Sequence, residues 1–161
     1  MATKREIDYV IEEYGDLLMR IAMLHVSHYA QAQDIVQDAF IKYIYKAPEF
    51  RDHKHEKAWL IRVTTNLCKD YLKHWRNNKR IELSEEYVIP SIDDNYQLLE
   101  IVKQLPFHHR NAVYLYYYEK MSIKEIAEVF HVKESTVSSW LFRSRKRLKK
   151  LLEGEWENEE R

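Results

Sequence analysis

Apolar residues recur at steps of three and four along most of this chain, the period of helices packed on one face. Ile7, Val10, Ile11, Tyr14, Leu17, Leu18 and Ile21 set out a first amphipathic helix. Ile35, Val36, Ala39, Phe40, Tyr43 and Ile44 set out a second, running from about Ala30 towards Pro48, which helps to stop it. The stretch "PEFRDHKHEK" reads as a polar loop, and a third helix is expected from about Lys57 to Arg76. The period then lapses: "NNKRIELSEEYVIPSIDDN" has the character of a linker of about 15–20 residues, long enough to separate domains. Three or four short helices follow over residues 95–152, with Pro106 in the first turn of one of them, and "EGEWENEER" reads as a frayed tail. The expected fold is all-α: two small helical domains, 1–78 and 95–153, joined by a flexible linker at 79–94 and followed by an acidic tail at 154–161.

Composition narrows this further. Only 2 Gly and 3 Pro occur in 161 residues, which suits long helices and leaves no material for a glycine-rich phosphate loop. The single Cys68 has no internal disulfide partner, as expected of a reducing cytoplasm. The N-terminus lacks a signal-peptide run, and no stretch approaches the roughly 20 apolar residues that span a bilayer. The eight His include the pairs His53/His55 and His108/His109, but zinc needs four ligands at consistent spacing and Cys68 lies on an apolar helix side. No metal, cofactor or catalytic constellation is expected, so the chain reads as a non-enzyme.

Charge changes the picture most. The formal net charge is zero, yet residues 51–80 carry nine basic against three acidic side chains, and residues 133–150 seven against one. Two basic blocks set between acidic ones suit contact with a polyanion at two places, although solvated helix faces would give the same blocks. On the third helix, Arg62, Asn66, Lys69, Lys73 and Arg76 fall within a stripe of about 80°, opposite Leu60, Thr64, Leu67, Cys68, Tyr71 and Trp75. Trp59 and Val63 border the stripe. Aromatic surface beside a cationic track is what a single-stranded nucleic acid needs, because an unstacked base must stack on something.

The second basic block follows a helix-turn-helix spacing. Ala127 is the small residue where two helices touch, His131 lies in the tight turn and Val137 is the apolar anchor, with Ile123, Ile126, Val129 and Val132 packing around them. Beyond the turn, Val137, Leu141, Ser144, Leu148 and Leu151 share one side. Ser135, Ser139, Phe142, Arg143, Lys146 and Lys150 share the other, a mixture suited to base edges and phosphates in a major groove.

Three stretches together resemble the extracytoplasmic-function (group IV) sigma factors, the dissociable promoter-recognition subunits of bacterial RNA polymerase. "AQDIVQDAFIKYI" resembles the helix that grips the clamp of the largest polymerase subunit. "FRDHKHEKAWLIRVTTNLCKDYLKHWR" resembles the loop and helix that capture the unwound −10 element. "LPFHHRNAVYLYYYEKMSIKEIAEVFHVKESTVSSWLFRSRKRLKKLL" resembles the domain that docks on the polymerase flap and reads the −35 element. The match covers roughly residues 10–152, in order. It implies core-polymerase contacts at Asp34, Ile35, Gln37, Asp38 and Phe40. It implies −10 recognition and melting by Phe50, Arg51, Trp59, Arg62, Asn66, Lys69, Lys73 and Arg76, with a base flipped beside the loop from Phe50 to Lys57. It implies −35 recognition by Ser135, Ser139, Trp140, Phe142, Arg143 and Lys146. Implied partners are core RNA polymerase, promoter DNA and an inhibitory anti-sigma factor, in the cytoplasm and on the nucleoid, with no insertion into a membrane.

Several residues depart from the family pattern. His131 and Lys120 stand where glycine is common, which implies positive φ at non-glycine residues. Lys133 replaces the usual Ser cap, so that either Ser135 caps instead or the helix starts less firmly. Ser138 and Trp140 replace basic residues, so that Trp140 is open to a sugar, a thymine methyl or a partner, and the tract "YLYYYEK" lacks a basic residue common in relatives. Two other functional classes fit the residues. One is a helix-turn-helix regulator that binds duplex DNA without polymerase. The other is an interaction protein whose acidic and apolar helices bind mainly an inhibitor.

Overall fold

The computed structural model of the chain describes residues 2–77 and 96–159, with side chains over 2–75 and 99–154. The expected linker at 79–94 and the Arg76 side chain lie outside the described residues. All regular structure among the described residues is helical, and the chain divides into two compact units, Met1–Pro90 and Ser91–Arg161.

The first unit is built from α1 (Lys4–Met23), α2 (Tyr29–Lys46) and α3 (His53–Asn77), each packed on the other two. A capping box starts α1: the Glu6 N–H donates to Thr3 Oγ1 at 3.2 Å, and the Thr3 N–H donates to Glu6 Oε2 at 3.0 Å. α2 ends where Ala47, at ψ 133, turns extended ahead of Pro48. The core takes Val10, Leu17, Leu18 and Ile21 from α1, Ile35, Val36 and Ala39 from α2, and Leu60, Ile61 and Cys68 from α3. Ile11, expected on the buried side of α1, is 45% exposed. The buried side of α3 is broader than expected and takes in Ile61 and Thr65, while Leu67, Tyr71 and Trp75 are only half-buried. The buried hydroxyls of Thr64 and Thr65 donate back to the carbonyls of Leu60 and Arg62, at 2.8 and 2.9 Å.

The expected polar loop is shorter than its sequence suggests, because α3 begins at His53 rather than near Lys57. Asp52 explains this: its Oδ1 accepts the His55 N–H at 2.8 Å, the bond of an N-cap.

The second unit holds α4 (Tyr96–Val102), α5 (Phe107–Val113), α6 (Ile123–Phe130) and α7 (Glu134–Glu159). Pro106 is the cap of α5, one residue before its first turn. α5 runs directly into a π-helical turn at Tyr114–Tyr118, which gives the tyrosine tract a structural account. The Tyr114 hydroxyl donates to Glu119 Oε1 at 2.8 Å and its ring stacks on Tyr118 at 5.1 Å, while the Tyr117 hydroxyl accepts from Arg145 Nε at 2.7 Å. The expected frayed tail starting at Glu153 is helical as far as Glu159, as a continuation of α7.

α6 and α7 make the helix-turn-helix. Ser122 and Glu125 form a capping box on α6. His131 closes α6 in the left-handed conformation, φ 53 and ψ 46, with its N–H and that of Val132 both donated to the Ala127 carbonyl. Ala127, Val137 and Leu141 are buried at the junction. Since a side chain at positive φ is strained, His131→Gly is expected to stabilise the fold by about 0.5–1 kcal/mol. That would raise the thermal midpoint by a few degrees, and a lower midpoint would contradict it. Lys120 is also left-handed, at φ 59, one residue beyond Glu119, whose N–H closes the π turn on the Tyr114 carbonyl.

Candidate nucleic-acid interface

In the first unit, the rigid body of α3 presents Asn66, Lys69 and Lys73 to solvent, with Arg62 half-buried beside them. The opposite side of α3 supplies core residues, so the cations cannot turn inward. Cys68 lies on that core side, fully buried, and burial pushes its thiol up to about 12. Modification of Cys68 by a thiol reagent at pH 8 is expected to be slower than that of a free thiol by about a hundredfold or more, until denaturant is added. Labelling at the free-thiol rate would contradict this.

At the N-terminal end of α3 the short loop folds against an aromatic cluster. The Phe50 ring stands 5.8 Å from Trp59 and 6.1 Å from Tyr43, and 5.3 Å edge-on from His55. Trp59 and Phe50 are half-buried, and Arg51 is exposed. Beneath them, the Tyr43 hydroxyl donates to Glu56 Oε2 at 3.0 Å. Burial, and then the Glu56 carboxylate, push Tyr43 above the usual phenol range, and the same two causes raise Tyr14 to about 12. Both tyrosines therefore stay neutral donors, and one carboxylate joins α1, α2 and α3 under the loop.

On α2, Asp34, Gln37 and Asp38 are exposed, but Ile35 is 3% exposed and Phe40 half-buried. Ile35 belongs to the unit's own core, as its helical period requires, so its side chain is not exposed for the polymerase contact that the resemblance implies. Ile41 and Tyr45, which were not among the residues expected there, are 50% and 70% exposed. Their spacing from Asp34 and Asp38, three and seven residues beyond the latter, puts them on the same face and was readable from the sequence.

In the second unit, α7 presents Ser135, Phe142, Arg143 and Lys146, with Ser139 half-buried. Phe142 is 57% exposed, and Lys146 Nζ lies 5.4 Å from the centre of its ring, a cation–π contact that holds both at the surface. Arg143 approaches His109 of α5, whose pKa is lowered first by burial and then by the Arg143 charge. Trp140 sits differently from its neighbours. Its ring stacks on His108 at 5.1 Å with 7° between planes and meets Phe130 edge-on at 6.1 Å. Half-buried between α5 and α6, it packs the domain and is not free to swing towards a base. Lys133 directly precedes α7, its carbonyl taking the N–H groups of Thr136 and Val137, and Ser135 lies inside the helix rather than at the cap. Among the described residues, no cluster of His, Cys, Asp or Glu could hold a metal ion, and no helix is long and apolar enough to cross a membrane.

The two units are thus helical modules with separate cationic faces, the second a helix-turn-helix of DNA-binding type. Residues 10–80 match the Sigma-70 region 2 family, and residues 96–148 match Sigma-70, region 4. The chain is 26% identical over 156 residues to the ECF RNA polymerase sigma factor SigM of Bacillus subtilis, covering 90% of this chain and 94% of the relative. It is 30% identical over 156 residues to the RNA polymerase sigma-E factor of Streptomyces avermitilis, covering 92% and 86%. In fold it is similar to the sigma factor RpoE in complex with the anti-sigma factor NepR from Bartonella quintana, at TM-score 0.70 and 22% identity, covering 92% of this chain and 98% of that one. It is also similar to CnrH in complex with the cytosolic domain of CnrY, at TM-score 0.72 and 23% identity, covering 95% and 91%. The chain belongs to the ECF sigma factors, which bind core RNA polymerase and direct transcription.

Proposed function

We propose that the two domains divide promoter recognition, residues 1–78 capturing the −10 element as melted single strand and residues 95–153 reading the −35 element as duplex. The observation that carries this reading is the pairing of each cationic face with a different surface. The exposed Asn66, Lys69 and Lys73 share α3 with the Phe50–Trp59 aromatic cluster, suited to unstacked bases. Phe142, Arg143 and Lys146 line an open helix face of groove-reading type.

Core polymerase is then held by α2 through Asp34, Gln37 and Asp38, joined by Ile41 and Tyr45, whose exposed apolar surface gives the acidic residues an anchor. The second domain docks on the polymerase flap. The polymerase does the chemistry, and this chain supplies address and melting without a cofactor. An anti-sigma factor is the expected inhibitor, since the similar RpoE of Bartonella quintana was captured with one. The protein works in the cytoplasm, on the nucleoid when bound to polymerase.

The test is transcription by bacterial core polymerase on total genomic DNA, with and without the protein, mapping transcript 5′ ends. New starts that share two spaced motifs are expected. No new starts, together with tight duplex binding in the absence of core, would overturn the reading in favour of a free helix-turn-helix regulator.

A further inference from the structure

The loop that carries Phe50 and Arg51 is tied to α3 by His55. The ring Nδ1 accepts the Arg51 backbone N–H at 3.2 Å, while the His55 N–H donates to Asp52 Oδ1 at 2.8 Å. Asp52 and His55 hold the first and last positions of a capping box, where a Glu or Gln side chain ordinarily reaches back. The chain builds two ordinary boxes elsewhere, Thr3 with Glu6 and Ser122 with Glu125, and each carboxylate returns to the N–H of the cap residue itself. His55 reaches one residue further and takes the N–H of Arg51, inside the loop. An imidazole nitrogen accepts only when it carries no hydrogen, so the ring making this bond is neutral.

The choice of ring over carboxylate has two physical consequences. The imidazole gives Phe50 an edge-on partner at 5.3 Å and 83°, which a carboxylate would not. It also accepts a hydrogen bond without placing a negative charge where a phosphate backbone would arrive. Phe50 is then fixed from two sides, by His55 and by the rings of Tyr43 and Trp59.

We infer that His55 is a positioning residue for this loop, holding Phe50 and Arg51 in place before the melted strand arrives. The inference rests on the proposed role of the loop in −10 capture. Order built in beforehand does not have to be created on binding, so it appears as easier promoter opening. It leaves duplex recognition by α7 and core binding by α2 untouched, because neither surface includes the loop.

The experiment compares His55→Leu, His55→Gln and Phe50→Ala in full-length protein with core polymerase on one promoter. Three quantities are read: permanganate reactivity of unpaired thymines at the −10 element, core affinity and the thermal midpoint. Leu keeps bulk but removes the acceptor, and Gln restores an acceptor at the position where capping boxes use one. His55→Leu is expected to lower the open-complex fraction about three- to tenfold, the scale of a lost helix cap, at unchanged core affinity. His55→Gln is expected to recover most of that loss, a rescue that general destabilisation would not give. Wild-type opening by His55→Leu, or a defect in His55→Gln as large as in His55→Leu, would overturn the inference. If Phe50→Ala is defective in that case, the −10 reading stands. Wild-type opening by Phe50→Ala would instead remove the −10 reading and the inference with it.

Discussion

Arg143→Ala is expected to weaken initiation at −35-dependent promoters by about 1–3 kcal/mol, or about five- to 150-fold, if Arg143 reads a base edge through two hydrogen bonds. The side chain is exposed on α7 beside Phe142, on a helix whose other face is anchored by the buried Val137 and Leu141. Loss of the guanidinium should therefore leave the fold alone and remove a contact. The check is a double-mutant cycle with promoters altered base by base across the −35 element. At the base that Arg143 reads, the variant should lose no more than the altered promoter already has. Lys146→Ala should behave differently, weakening binding almost uniformly across sequences and lowering the salt slope by about one, as a phosphate contact does. A spectroscopic control comes from the same geometry. The Arg143 charge contributes to lowering the His109 pKa, so His109 should titrate at higher pH in Arg143→Ala. Unchanged transcription from −35-dependent promoters would remove Arg143 from the reading surface.

The helical periods of the chain were legible because buried positions follow them, and Val10, Leu17, Leu18, Leu60, Thr64 and Cys68 all lie where the spacing puts them. The turn of the helix-turn-helix was legible for a backbone reason: a residue at a glycine position must adopt positive φ, and His131 and Lys120 do so. What failed to show depends on side chains reaching across short distances. The loop before α3 looked long because its polar composition hides the Asp52 cap, whose bond to the His55 N–H starts the helix four residues early. Trp140 entered the −35 site through the resemblance, as a residue open to a sugar, a thymine methyl or a partner, because the spacing along α7 says nothing of α5, where His108 stacks on it. Ile35 looked like a clamp contact by resemblance alone, although its own helical period assigned it to the core. The π turn at Tyr114–Tyr118 has no period of its own to read, being a single turn between ordinary helices.

The same reasoning gives Asn66→Ala a signature of its own. Asn66 is exposed on α3 between Arg62 and Lys69, one turn from each, and its amide can both donate to and accept from an unpaired base. No core residue depends on it, so the variant should fold and bind core polymerase as the wild type does. A hydrogen bond made only after strand separation contributes to the open complex and not to the closed one. Asn66→Ala should therefore slow promoter opening by about three- to tenfold, the scale of one net hydrogen bond, and leave initial promoter binding unchanged. On a template melted beforehand across the −10 element, most of the rate defect should disappear, and the lost hydrogen bond should appear instead as weaker binding of the exposed strand. Lys69→Ala and Lys73→Ala provide the contrast, since backbone cations act at every sequence and their loss should flatten the salt dependence of single-strand binding by about 0.7 per phosphate contact. Opening kinetics, core affinity and salt slope together separate base capture from phosphate tracking. Lost core affinity in Asn66→Ala would contradict its proposed place in the −10 site, because the core contacts proposed above lie on α2 and Asn66 lies on α3.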